Sequence, residues 1–155
     1  MIDDRNCTID DWRLRKINDL RVANIGSAIA DGARVSTADD LQSRVEAFAD
    51  LSIKFAAGLP DTYLVRRMAG QFQDAATSVG ANYRAARRAK SHADFVSKIG
   101  TVSEEADECC YWLGRLRNAN IRSTTTDIEP LLTEADELAR IFGASHRTAK
   151  QRRRS

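Results

Sequence analysis

The chain is poor in residues that break or bend a backbone. Among its 155 residues are only 2 prolines, Pro60 and Pro130, and 8 glycines. Sheet sandwiches and barrels need turn residues at short, regular spacing, so an all-β fold is disfavoured. Cysteine is scarce too: the 3 present are Cys7 and the adjacent pair Cys109 and Cys110. That is no disulfide framework, and adjacency lacks the C-x-x-C spacing of a metal or redox motif. On a helix, neighbours point about 100° apart, so one of the pair is expected to face the core and the other its edge. No apolar run approaches the roughly 18 residues of a membrane span, and no basic-then-apolar start resembles a secretory signal. A soluble, cytoplasmic protein is expected.

The constellations that catalysis needs are missing as well. Gly70, Gly80 and Gly100 stand isolated within helical stretches, not in a phosphate-binding loop. His92 and His146 have no second ligand three or four residues away, and the Glu-x-x-His motif of di-iron bundles is absent. Glu105 and Glu108 sit three apart on one helical face, where solvation or ion pairing outweighs a carboxylate site. No serine has an evident base. No catalytic residue, metal ligand or cofactor is therefore assigned, and an enzyme is not expected.

What the sequence does hold is helix. Ala, Arg, Asp and Leu dominate, most of them good helix formers, and 43% hydrophobic residues suffice for a core. From residue 36 onward, four apolar stripes follow one another, each with a start signal. Ser36-Thr37-Ala38-Asp39-Asp40 offers a cap with an acid behind it. Leu41, Val45, Phe48, Ser52, Phe55 and Leu59 then recur at helical spacing, until Gly58 and Pro60 end the segment. A second helix opens near Asp61 and runs through Val65, Phe72, Val79 and Tyr83 to about Lys90. Ser91-His92-Ala93-Asp94 caps a third, with Phe95, Ile99, Val102, Ala106, Leu113 and Leu116 on its buried side. After a polar connection over 118–126, the fourth starts near Thr126 or Asp127, with Pro130 tolerated in its first turn. Its stripe is Ile128, Leu131, Leu132, Ala135, Leu138, Ala139 and Phe142.

These features predict an all-α, up-down-up-down four-helix bundle over residues 36–146. Residues 1–35 form an N-terminal extension, read either as one added helix or as a loosely ordered arm. Residues 147–155 read as a basic tail.

The formal charge of +2 says little, but its distribution says more. Arg66, Arg67, Arg84, Arg87, Arg88, Lys90 and Lys98 face only Asp74 and Asp94 between residues 66 and 98. Arg84, Arg87, Arg88 and Ser91 lie at i, i+3, i+4 and i+7, so on one helix they would share a sector. This cluster reads evenly as a solvated face or a polyanion site. Ser78 and Asn82 read as a hydrogen-bonded pair fixing helix register, ahead of an interface pair. For Tyr83, Tyr111 and Trp112, packing outweighs base stacking.

The run Ser78-Val79-Gly80-Ala81-Asn82-Tyr83-Arg84 and the turn Arg88-Ala89-Lys90-Ser91 carry a more specific signal. Phe95, Glu105-Ala106-Asp107-Glu108 and Tyr111-Trp112-Leu113 continue it. The pattern resembles the four-helix-bundle family encoded in intervening sequences of bacterial large-subunit ribosomal RNA genes. Relatives of the accessory variability determinant of diversity-generating retroelements belong there too. The resemblance spans about residues 38–145 and is densest between 71 and 113. It implies a homo-oligomer, a five-fold barrel of bundles, that associates with structured RNA or with a nucleic-acid enzyme such as a reverse transcriptase. Ala85 stands where that family usually has Glu, and Gly100 and Glu104 stand where it is often basic; Gly100 is expected to loosen the third helix.

The resulting expectation is a non-enzymatic accessory bundle that binds RNA, DNA or a nucleic-acid-processing partner. Arg66, Arg67, Arg84, Arg87, Arg88, Lys90 and Lys98 are its candidate contacts. The alternative is a purely structural or protein-interaction bundle; a metal-dependent or nucleotide-processing enzyme ranks below both.

Overall fold

The structure, a computed structural model, describes residues 38–152. The expectation for residues 1–35 lies outside them. Four helices follow in order: α1 (Ala38–Ala57), α2 (Tyr63–Arg87), α3 (His92–Asn118) and α4 (Ile128–Arg152). They run alternately up and down. α3 packs between α2 and α4, while α1 rests mainly on α2 and touches α4 more lightly.

Each helix forms because its apolar residues line one face. α1 buries Leu41, Val45, Phe48, Ser52 and Phe55; α4 buries Leu131, Ala135, Leu138, Phe142, Ser145 and Ala149. The alternating spacing of three and four keeps each stripe facing the centre. Two of these positions are serine, and both hydroxyls are satisfied locally. Ser52 Oγ donates to the Ala49 carbonyl at 2.6 Å, and Ser145 Oγ to that of Ile141 at 2.7 Å. In the core, Phe72 meets Phe48 and Phe55 edge to face, with ring centres 6.3 and 6.0 Å apart. Such pairs add about 0.5–1.5 kcal/mol each beyond burial. Tyr83 packs on Phe142 at 5.2 Å.

Ends are set by side-chain caps. Thr62 opens α2, beside Asp61 where the start was expected, and accepts from Val65 N at 3.3 Å. Ser91 opens α3 and accepts from Asp94 N at 3.1 Å. α2 ends at Arg87 instead of continuing to Lys90. Ala89 is fully buried beyond it, and Lys90 N donates to the Asp94 carboxylate at 2.9 Å. The link therefore turns inward, and Ser91 belongs to α3 rather than to an α2 sector. The segment 147–152, read as a tail, is the last part of α4. Ala149 extends the buried stripe there, and His92 Nε2 meets the Ala149 carbonyl at 2.9 Å.

Cys109 is buried and Cys110 half-buried, as the adjacent spacing requires. Gly100 lies inside an unbroken α3. It makes room for a neighbour: a Cβ there would stand 3.1 Å from His146 Nε2 on α4. The glycine is a packing device, not a hinge. Among the described residues, no helix is long and apolar enough to cross a membrane.

Candidate nucleic-acid interface

The topology brings the N-termini of α1 and α3 and the C-termini of α2 and α4 to one end of the bundle. That end collects Arg84, Arg87, Arg88 and Lys90 from α2 and the link, Lys98 from α3, and Arg147, Lys150 and Arg152 from α4. The seven candidate cations do not form one site. Arg66 and Arg67 sit in the first turns of α2. A rise of 1.5 Å per residue puts Arg67 about 25 Å from Arg84 along the axis. There Arg66 pairs with Asp61, and Arg67 Nη1 approaches Tyr63 Oη at 3.5 Å.

At the basic end the cations differ in how they are engaged. Arg87 pairs with Asp39 of α1, and Lys98 with Asp94 one turn back. The Lys98 ammonium, then the Lys90 amide, hold the Asp94 carboxyl below the usual carboxylate range. Arg84 and Arg88 are exposed and carry no carboxylate partner among the described residues. With Arg87 they line a groove of about 320 Å³ between α1 and α2, closed on its α1 side by Gln42 and Glu46. Glu46 accepts from Gln42 Nε2 at 2.7 Å. Gln42 Oε1 is sealed from solvent and has no hydrogen-bond donor among the described residues.

Sequence reasoning missed Gln42 and Glu46. Both are polar residues on a polar face, and only the α1–α2 packing sets them beside the arginines. It also missed Arg44, which crosses the lightly packed α1–α4 seam. Arg44 Nη2 donates to Glu134 Oε2 at 2.7 Å and also engages Glu137.

The opposite end has a cavity of about 380 Å³ lined by Arg117, Asn120, Arg122, Asp127 and Glu129 among others. Its charges are mixed, with Arg117 at 3.8 Å from Glu129. The flank of α3 is acidic. Partial burial, then Glu108, Glu104 and Asp74, raise the Glu105 carboxyl above its ordinary range. Among the described residues, no three metal-ligating side chains come together.

The remaining candidates resolve by geometry. Tyr83 is buried, with its hydroxyl 3.5 Å from the Ala38 carbonyl, so it is core. Trp112 packs against the core and donates from Nε1 to Glu108 at 2.9 Å. Tyr111 lies outside, its ring edge-on to Trp112 at 5.0 Å and 5.6 Å below the Arg115 guanidinium. Asn82 Nδ2 donates to the Ser78 backbone carbonyl at 3.0 Å, a bond within one helix. It does not lock register between helices.

Fold and charge together define an all-α four-helix bundle with one cationic end. The chain belongs to the family of 23S rRNA-intervening sequence proteins, whose family model matches residues 40–144. A solved structure from Bacteroides thetaiotaomicron is similar: a protein of unknown function from the S23 ribosomal protein family. It shares 25% identity and a TM-score of 0.58, covering 71% of this chain and 97% of that one. No curated protein matches the chain.

Proposed function

We propose that this protein is a non-catalytic accessory bundle that binds nucleic acid through its basic end. The observation that carries this reading is the groove whose Arg84 and Arg88 lack carboxylate partners among the described residues. A guanidinium without a carboxylate partner offers a planar fork of donors that suits phosphate. Lys90, Lys98, Arg147 and Lys150 lie at the same end of the bundle and add positive charge there. The family's link to ribosomal RNA intervening sequences supports the same reading. Nothing in the groove resembles a base-reading helix or ribbon, so contacts to the backbone dominate and sequence preference is weak.

Self-assembly fits this reading, because a closed ring of copies repeats the cationic groove around an axis. Support comes from apolar side chains exposed at the opposite end, on α1 and on α3: Tyr63, Leu64, Leu51, Ile53 and Tyr111. The same exposed side chains support the second reading, a protein-interaction bundle, for which a nucleic-acid enzyme such as a reverse transcriptase is the natural partner class. A fluorescence-anisotropy titration with labelled RNA and DNA at about 50 and 200 mM salt tests the first reading. Binding should fall steeply with salt through counterion release and collapse in Arg84→Glu/Arg88→Glu. Affinity unaffected by that double reversal would leave the protein-interaction reading in its place.

A further inference from the structure

The groove holds something besides positive charge. Glu46 is a carboxylate and can only accept, so it fixes the orientation of the Gln42 amide: the NH2 group faces Glu46. The Gln42 carbonyl oxygen is thereby left buried, without a donor among the described residues. Buried acceptors nearly always find a partner, and one that lacks it is costly. A phosphate oxygen can answer the arginines but has no proton to give the amide. What the groove lacks is a neutral donor close to an anion.

We propose that Gln42 accepts a hydrogen bond from a ribose 2′-hydroxyl while Arg84 and Arg88 hold the adjoining phosphate, so that the α1–α2 groove selects RNA over DNA. This rests on the nucleic-acid reading above and adds the sugar to it. Phosphate and 2′-hydroxyl lie one sugar apart along an RNA strand, and the 2′-hydroxyl is the group by which a protein tells RNA from DNA. Arg84 and Arg88 are long, exposed arms on α2 and its cap. They line the groove together with Gln42, and binding requires its side chains to move enough to uncover the Gln42 oxygen, which is sealed from solvent in the free chain. Glu46 keeps its role throughout, holding the amide so that its oxygen accepts. Arg87, already paired with Asp39, supports the field and leaves the direct grip to its two neighbours.

The test uses the full chain and three single strands of one sequence built from A, C and G: RNA, DNA and 2′-O-methyl RNA. The methylated strand keeps the ribose oxygen but has lost its proton. Wild type should bind RNA about fivefold more tightly than either other strand, the size expected for one hydrogen bond. Gln42→Met, with its fold checked by circular dichroism, should bring RNA down to the level of the other two and leave those unchanged. The methylated strand on unaltered protein gives the same answer should that variant fail to fold. Equal affinity for all three strands, or a preference that persists in Gln42→Met, overturns the sugar contact and leaves general polyanion binding standing. No binding to any strand at about 50 mM salt overturns both.

Discussion

His146 of α4 packs its imidazole against the bare Cα of Gly100 on α3, where a methyl group would stand 3.1 Å from Nε2 and 3.2 Å from Cε1. A contact that tight obliges the ring to give way by a few tenths of an ångström. Glycine inside a helix costs about 1 kcal/mol relative to alanine, so two opposed effects meet here. Gly100→Ala should lower stability in the native background and raise it by about 1 kcal/mol once His146→Ala has removed the ring. Gly70 has open space on its side-chain side, with no neighbouring atom within 4 Å of where a Cβ would stand. Gly70→Ala should therefore stabilise by about 0.5–1 kcal/mol in any background. Urea denaturation of the four variants reads the coupling; additivity at Gly100 and His146 would refute the packing argument.

Arg44 supplies what the α1–α4 seam lacks in apolar contact. It is held charged by its hydrogen bonds to Glu134 first and then Glu137, against the cost of its burial. Its basicity is raised, so its stabilisation is fully present below the ordinary guanidinium range and is lost only at still more alkaline pH. Between mildly acidic and mildly alkaline pH the contribution is therefore constant. Arg44→Met should cost about 1 kcal/mol, the discount reflecting partial exposure, and the loss should shrink at about 1 M salt. A loss that is independent of salt would assign the effect to packing.

The two adjacent thiols and one phenol set the alkaline limit. Burial raises Cys109 and pushes Cys110 up to about 11 and Tyr83 up to about 12. Each stays protonated in the folded chain at pH values where the unfolded chain ionises, from about 8.5 for thiols and 10 for the phenol. The unfolded state then binds fewer protons, so stability falls as pH rises through that window. Melting temperature should be level from about pH 6 to 8 and decline from about pH 9 to 11. Alkylation at about pH 8, with the modified residue located by fragment-ion mass spectrometry, should find Cys109 inert and Cys110 on the order of a hundredfold slower than a free thiol. Rapid labelling of Cys109 in the native state would contradict its burial.

Charge reversal at the two ends of α2 should have unequal effects. Arg66→Glu/Arg67→Glu lies about 25 Å from the groove and should weaken RNA binding less than about threefold at roughly 150 mM salt. Arg84→Glu/Arg88→Glu should weaken it at least about thirtyfold and flatten the dependence on salt. Equal losses in both variants, measured by anisotropy, would mean that charge acts without a defined seat.

The helices were legible because spacing alone identifies their buried faces, and Ser91 and Pro130 marked two starts correctly. The end of α2 was not, since Ala85-Ala86-Arg87-Arg88-Ala89-Lys90 is uniformly helix-favouring. Only the inward turn at Ala89 and the grip of Asp94 on Lys90 stop it. The end of α4 was hidden for the opposite reason. Arginines after Arg147 suggested a tail, although Ala149 continues the rhythm of Leu138, Phe142 and Ser145. The candidate site was half visible. Arg84, Arg87 and Arg88 announced themselves by charge, whereas Gln42 and Glu46 gained meaning only when α1 was laid beside them. Arg66 and Arg67 show the converse: grouped by composition with Arg84 and Arg88, they sit together at the other end of α2.

The serine- and threonine-rich connection before α4 has a role its composition conceals. Ser123 and Thr125 donate their hydroxyls to the carbonyls of Phe55 and Lys54 at 2.8 and 2.6 Å, and Thr124 N donates to the Gly58 carbonyl at 2.9 Å. These are acceptors at the end of α1, which a helix cannot satisfy for itself, and only glycine at position 58 leaves space for the clasp. Polar surface loops are ordinarily the safest places to splice in a tag or open a new terminus. Here such a cut would unlatch α1, the helix least supported by its neighbours, and with it one wall of the arginine groove at the far end of the molecule.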